Sequence, residues 1–275
     1  MKNYRYWFLG LLLAMLIASF GLAMQTSEAA ARPDRSLTYD ISARNGLLMR
    51  EVTGEVTAEL NGVPAEPVDS FVHDENGVTA IQNGFVQVDI DPVTNTGTIF
   101  ARWRDENGNW TFRQSAFIPP NHPTGLKIGP SASSTELIVD DPVTTNVYLH
   151  GDTTAGGPVL PTVFNFLATW GPAEVTLNGQ PFENPYDGPT PLWVAHTMTT
   201  VGVRNDDGQV LTADGSQIFN PMNPDDGLVY DDKIEFHLVF HEAPGPEATD
   251  NFPPPHDFFY HLTFQDVEIS IEGLN

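Results

Sequence analysis

The sequence predicts an all-β fold, an antiparallel β-sandwich or jelly-roll-like domain with long Pro/Gly-rich loops. Three observations carry that expectation. Short runs alternate apolar with polar residues, Asn-Gly and Asp residues punctuate them densely, and 23 prolines interrupt most windows in which a long helix would fit.

The first segment has a different character. Lys2 and Arg5 precede an apolar run from Trp7 to Met24, and the small residues Ala29, Ala30 and Ala31 follow. Charged, then apolar, then small is the order of a secretory signal peptide, expected here over residues 1–31. The alternative is an uncleaved anchor, because the run approaches the roughly 18 apolar residues that can span a bilayer. Residues 32–46, opening ARPDRS, lack a sustained apolar period and are expected to form a flexible lead. Residues 47–275 are then expected to make a single β-rich domain, a size within the range of sandwiches and barrels.

Within that domain EVTAEL sets Val56, Ala58 and Leu60 against Glu55, Thr57 and Glu59, the period of a strand with one wet face. FVQVDI and TIFARW are separated by DPVTNTG, and DENGN separates TIFARW from WTFRQSAF. Asn and Gly tolerate the positive φ of tight hairpin turns. Asn61-Gly62, Asn76-Gly77, Asn83-Gly84 and Asn178-Gly179 repeat this punctuation, predicting a meander or Greek key. DENG at 74–77 and at 105–108 has unlike flanks and reads as two similar turns. From about Asp141 the loops lengthen, as in GDTTAGGPVLP and HEAPGPEATDNFPPPHD; long loops on a β-scaffold are where binding surfaces are usually placed.

The formal net charge is −24 and there is no cysteine. A chain this acidic lacks the basic footprint that nucleic acid demands, and anionic membrane surfaces are disfavoured for the same reason. Without thiols no disulfide or lipoprotein acyl group can form, so stability must come from the apolar core and backbone pairing, to which bound ions could add. A secreted or periplasmic bacterial protein fits these features. The oligomeric state is not encoded in any motif.

Six of the eight histidines lie after Asp141. In EFHLVFHEAPGP, Phe236, Leu238 and Phe240 occupy one strand face, while Glu235, His237, Val239 and His241 occupy the other. At about 3.3 Å per residue, His237 and His241 stand some 13 Å apart, too far for one ion on a straight strand. His241, beside the Pro-Gly loop, is the favoured member. FFYHLTFQDVEISI places His261 where antiparallel pairing would bring it near either His237 or His241, since cross-strand neighbours approach to about 5 Å. His150 closes the apolar strand VYLH next to Asp152. His196 shares a face with Leu192, Val194 and Met198, and is expected in the core with its ring nitrogens hydrogen-bonded.

Imidazole ligates Zn²⁺, Cu²⁺, Ni²⁺ and iron, and a β-scaffold can gather three such groups from separate strands. Blue-copper, thiolate-zinc and cysteine-held iron–sulfur sites are excluded, and the HExxH signature is absent, because APGP follows His241-Glu242. Acidic clusters at Asp89/Asp91, 105–109, Asp206-Asp207, Asp225-Asp226 and Asp231-Asp232 compete as Ca²⁺ loops, although none has EF-hand spacing and such a cluster is more often a solvated hairpin turn than a cation site. No GxSxG elbow, phosphate loop or dinucleotide fingerprint occurs, and His150 with Asp152 lacks an accompanying nucleophile, so no catalytic residue is assigned and enzymatic activity is left open. Among the aromatics Trp103, Trp110, Trp170, Trp193, Phe252 and Tyr260, burial is expected for Trp103 and Trp193, while exposed rings would suit sugar stacking.

The leading expectation is thus an exported metal-binding β-protein that holds Zn or Cu and can support metal-dependent chemistry. Its nucleus is His150, His241 and His261, with His237 and His196 as further ligand candidates and a structural Ca²⁺ as an additional ion. The alternatives are a non-enzymatic carbohydrate- or protein-binding module, with Pro/Gly loops and aromatics as its contact surface, and a structural component of an extracellular layer or filament.

Overall fold

A computed structural model describes residues 37–51, 58–60, 63–65, 79–119, 141–150, 160–185, 188, 192–219, 227–242 and 258–273. The expected signal peptide, along with His73, His122, Asp152, Asp225, Asp226, Phe252 and His256, lies outside the described residues. Among the described residues the regular structure is entirely strand. No helix there is long and apolar enough to cross a membrane.

The strands are β1 (Thr38–Glu51), β2 (Ala58–Leu60), β3 (Val63–Ala65), β4 (Thr79–Ala80), β5 (Gln82–Asp91), β6 (Thr96–Arg104) and β7 (Asn109–Gln114). After them come β8 (Val143–Leu149), β9 (Val163–Leu177), β10 (Gln180–Pro181), β11 (Trp193–Gly202), β12 (Tyr230–His241) and β13 (Phe259–Glu272). β1 begins at Thr38, inside the stretch that the sequence reads as lead. Tyr39, Ile41 and Ala43 alternate there with Asp40 and Ser42, and all three apolar side chains are buried.

The sheet runs β9-β11-β12-β13-β1-β5-β6-β7, every neighbour antiparallel, and β7 then pairs back onto β9 from Trp110↔Leu177 to Arg113↔Glu174. That second pairing closes the sheet into an eight-stranded barrel, which corrects the expected sandwich or jelly roll. The reason is physical: in-out alternation is identical whether a sheet packs on a partner or curls onto itself. β9 makes closure possible by its length. Its first half carries β8, from Val143↔Thr169 to Leu149↔Val163, and its second half carries β7.

Several turns follow the residues that specify them. Asn178 and Gly179 take φ of 53° and 77°, the two positive values of a type I′ turn, and reverse the chain between β9 and β10. Asn61-Gly62 lies outside the described residues. Asn83-Gly84, by contrast, is a bulge within β5, where the register slips between Gln82 and Phe85. A side chain at Gly84 would place its Cβ 2.9 Å from Ile81 Cδ1, so Ile81 would have to shift to admit it.

Side chains fill the barrel, as an eight-stranded interior allows. Trp103 and Trp110 stack with centroids 5.8 Å apart, and Tyr260 stacks on Phe240 at 4.9 Å. Trp103 Nε1 donates to Tyr260 Oη, which donates to Asp105 Oδ2, each at 2.8 Å. Asp40, Ser42 and Arg44 on β1 alternate with the inward Tyr39, Ile41 and Ala43.

Candidate functional site

One outer face of the barrel is not open to water. Along β12, Phe236, Leu238 and Phe240 point into the barrel, as the alternation predicts, and Glu235, His237, Val239 and His241 point out. Outside β9 and β11, Val203, Val210 and Phe219 pack with Leu149, Leu160, Ala168, Trp170 and Met198 as a second apolar cluster. At this face Thr200, Arg204, Glu235, His237, His261 and Thr263 are all buried.

At its centre His237 Nδ1 lies 3.1 Å from His261 Nε2 and 3.2 Å from Thr263 Oγ1. The register explains the meeting: His237 pairs with Thr263, and His261, paired with Val239, is the diagonal neighbour within reach of a ring. On the other side, His237 Nε2 is 3.3 Å from Thr200 Oγ1 and 3.3 Å from Glu235 Oε2. Thr200 already donates its proton to Val201 O at 2.7 Å, so its oxygen accepts. A carboxylate oxygen also only accepts. The proton of neutral His237 therefore sits on Nε2, and Nδ1 presents its lone pair to His261.

Burial lowers the pKa of His237, and the positive Arg204 lowers it further against the opposing hydrogen bond and charge of Glu235. The ring is thus neutral at pH 7, the state a ligand needs. Arg204 donates its backbone N–H to Glu235 Oε1 at 3.0 Å and its Nη1–H to Gly208 O at 2.8 Å. Burial depresses the guanidinium to about 10, partly offset by Glu235, so it remains cationic.

The five histidines singled out in the sequence do not form one centre. His237 and His261 are brought together. His150 and His196 form a second group: His150 Nε2 is 2.9 Å from Met198 Sδ, the two rings have centroids 6.2 Å apart, His196 stacks on Trp170 at 4.6 Å, and His196 Nδ1 meets Thr169 O at 2.9 Å. His241, the favoured member of its pair, instead meets Glu242 O at 2.7 Å through Nδ1 and stacks on Phe259. Among the described residues no three His, Cys, Asp or Glu side chains are grouped as a metal-ligand set.

The acidic turns mostly bind their own backbone. Asp91 Oδ1 accepts from Val93 N and Thr94 N, and Asp105 Oδ1 from Asn107 N and Gly108 N. Asp214, held to about 2 by Ser216 N–H and by the hydroxyls of Thr212 and Ser216, does the same. Asp206 pairs with Lys233 at the surface.

Sequence reasoning assigned no role to Thr200, Arg204, Glu235, Thr263 or Met198. Two signals were present: Glu235 shares the outward face of His237, and Met198 shares that of His196. What hid the site was the covering segment, which turns a face that alternation marks as wet into an interior. Compared with known proteins, the chain matches no family model, no curated protein and no solved structure.

Proposed function

We propose that this chain is an exported protein, secreted or periplasmic, that binds a transition metal through imidazoles on the covered outer face of its barrel, with His237 and His261 as the nucleus. The observation that carries the reading is the 3.1 Å separation of His237 Nδ1 and His261 Nε2. Two imidazole nitrogens on one tetrahedral ion, each about 2.0 Å from it, stand about 3.3 Å apart. In the metal-free chain the same separation accommodates an N–H···N hydrogen bond, so loading asks for little movement. Glu235 beside the far nitrogen of His237 supplies the carboxylate–imidazole partnership that orients metal-bound histidines elsewhere.

The test is elemental analysis of untagged protein purified without chelator, paired with thermal unfolding before and after EDTA. A stoichiometric transition metal, lost in His261→Gln, and a Tm that drops on chelation are expected. Protein free of metal whose Tm ignores chelator would end the proposal. Mature protein beginning at Arg32 by intact mass would support export; an intact leader on a soluble intracellular chain would oppose it.

A second reading, glycan binding, is favoured by one specific group. Tyr148, Phe164 and Phe166 are half-buried on β8 and β9, with centroids 5.4 and 5.1 Å apart in succession. Partly open rings of this kind stack on sugars. A glycan array with wild type and Phe164→Ala tests it, and silence across the array would remove it.

A further inference from the structure

Against 36 Asp and Glu the chain sets only 12 Lys and Arg, and the cationic side chains that the structure describes are not scattered. Arg204 is buried, and Lys233 pairs with Asp206. The other four, Arg44, Arg102, Arg104 and Arg113, are exposed, and all stand on the outer face of the run β1-β5-β6-β7.

The register brings them together. Phe85 of β5 is opposite Arg44 on one side and Arg102 on the other, and both guanidiniums lie over its ring, with Cζ 5.7 and 5.5 Å from the centroid. A cation at that distance is attracted by the ring face, so Phe85 holds two long side chains in place before any ligand arrives. One row along, Phe100 of β6 is opposite Arg113 of β7 and is 39% exposed. The nearest carboxylates are engaged elsewhere: Asp266, opposite Arg44, accepts from Asn45, and Asp40 accepts from Gln87 Nε2 at 2.6 Å. Among the described residues no carboxylate forms an ion pair with any of the four arginines.

We infer that this face binds a chain of uronic acid sugars, a partner and a site separate from the metal reading above. A guanidinium takes a carboxylate through two parallel hydrogen bonds, and an open aromatic ring such as Phe100 stacks on the apolar face of a sugar. The shape of the cationic strip selects among anions. Arg44 and Arg102 are two strands apart, about 10 Å. Asp266 and Glu268 on β13 border the strip on one side, and Glu174, opposite Arg113, borders it on the other. A nucleic-acid duplex or a lipid surface would press on those carboxylates as well, whereas a single flexible chain lies between them. An acidic peptide that docks by adding a strand needs an open sheet edge, and β1, β5, β6 and β7 are each paired on both sides.

The test is titration calorimetry of the full untagged chain with galacturonate and mannuronate hexamers, at low and at raised salt. At least one hexamer is expected to bind, more weakly as salt rises. Its methyl ester, which keeps the sugars and loses the charge, should bind at least tenfold more weakly; this comparison uses the unaltered protein. Arg102→Gln and Arg113→Gln should each lower affinity at least tenfold with Tm unchanged, while Lys233→Gln, off this face, should leave it as in wild type.

No binding of either hexamer, an ester that binds as tightly as the acid, or arginine variants at wild-type affinity would overturn the inference. Tighter binding of oligothymidylate, polyglutamate or phosphatidylserine vesicles, run in parallel, would also overturn it and give the face to that class of partner. A dimer by light scattering that both arginine variants dissociate would assign the face to a second copy of the chain instead.

Discussion

Glu235 accepts the backbone N–H of Arg204 through Oε1 at 3.0 Å while its Oε2 stands 3.3 Å from His237 Nε2, so one carboxylate joins the covering segment to the histidine face of the barrel. All three side chains are buried. Glu235→Gln keeps an oxygen for Arg204 N but removes the nearby negative charge that favours the buried guanidinium, and should lower stability by about 1–3 kcal/mol. Urea unfolding of the single variants and of Glu235→Gln with Arg204→Met measures the coupling. Single and double losses that simply add would show the two residues to be independent.

Stability should fall on mild acidification. The folded-state pKa of His237 lies below its ordinary value, with Glu235, Arg204 and His261 around it. Above about 6.5 the ring is neutral in both states and contributes no slope. Below that value the unfolded chain takes up a proton that the folded one refuses, and stability declines until pH reaches the folded pKa. Unfolding midpoints between pH 8 and 5 should drop in wild type and drop less in His237→Asn; parallel curves would contradict this.

Tyr260→Phe removes the acceptor of Trp103 Nε1 and the donor to Asp105 Oδ2 in one step. A buried indole N–H left unpaired costs about 1–3 kcal/mol. The loss should register as a lower Tm and an altered near-ultraviolet spectrum from the Trp103–Trp110 stack. A Tm within a degree of wild type would mean that the relay contributes nothing.

Gly46→Ala should destabilise strongly, because the new Cβ would stand 2.6 Å from Ile81 Cδ1 and 2.9 Å from Phe264 Cε1. Overpacking of this kind costs about 1–3 kcal/mol. Adding Ile81→Val, which removes the colliding Cδ1, should restore part of the loss. If the second change deepens the defect, the clash with Ile81 is not its cause.

Much of the scaffold was legible because strands announce themselves locally. FVQVDI, TIFARW, EFHLVFH and FFYHLTFQDVEISI fall within β5, β6, β12 and β13 or overlap them closely, and the inward set Phe236, Leu238 and Phe240 followed from period two alone. The expected burial of Trp103 and Trp193 is met, and Trp110 is buried as well. Closure was not legible, since it depends on β9 pairing with β7 as well as β11, a relation between residues more than sixty positions apart that no local pattern records.

The candidate site was legible in halves. Placing His261 beside His237 needed only antiparallel pairing of the last two strands; choosing His237 over His241 needed the register, which sets His241 opposite Phe259. The partnership of His150 with Met198 joins a strand end to a strand centre across 48 positions, and only the assembled sheet brings them together.

β1 is hydrogen-bonded on one side to β5 and on the other to β13. The earliest strand of the barrel is therefore completed by the latest, and the ring cannot shut until almost the whole polypeptide has been delivered. A chain with that wiring should stay threadable through a narrow pore for as long as β13 is still missing, and its refolding should be slow for its size, because the entropy of joining such distant ends must be met before most contacts form.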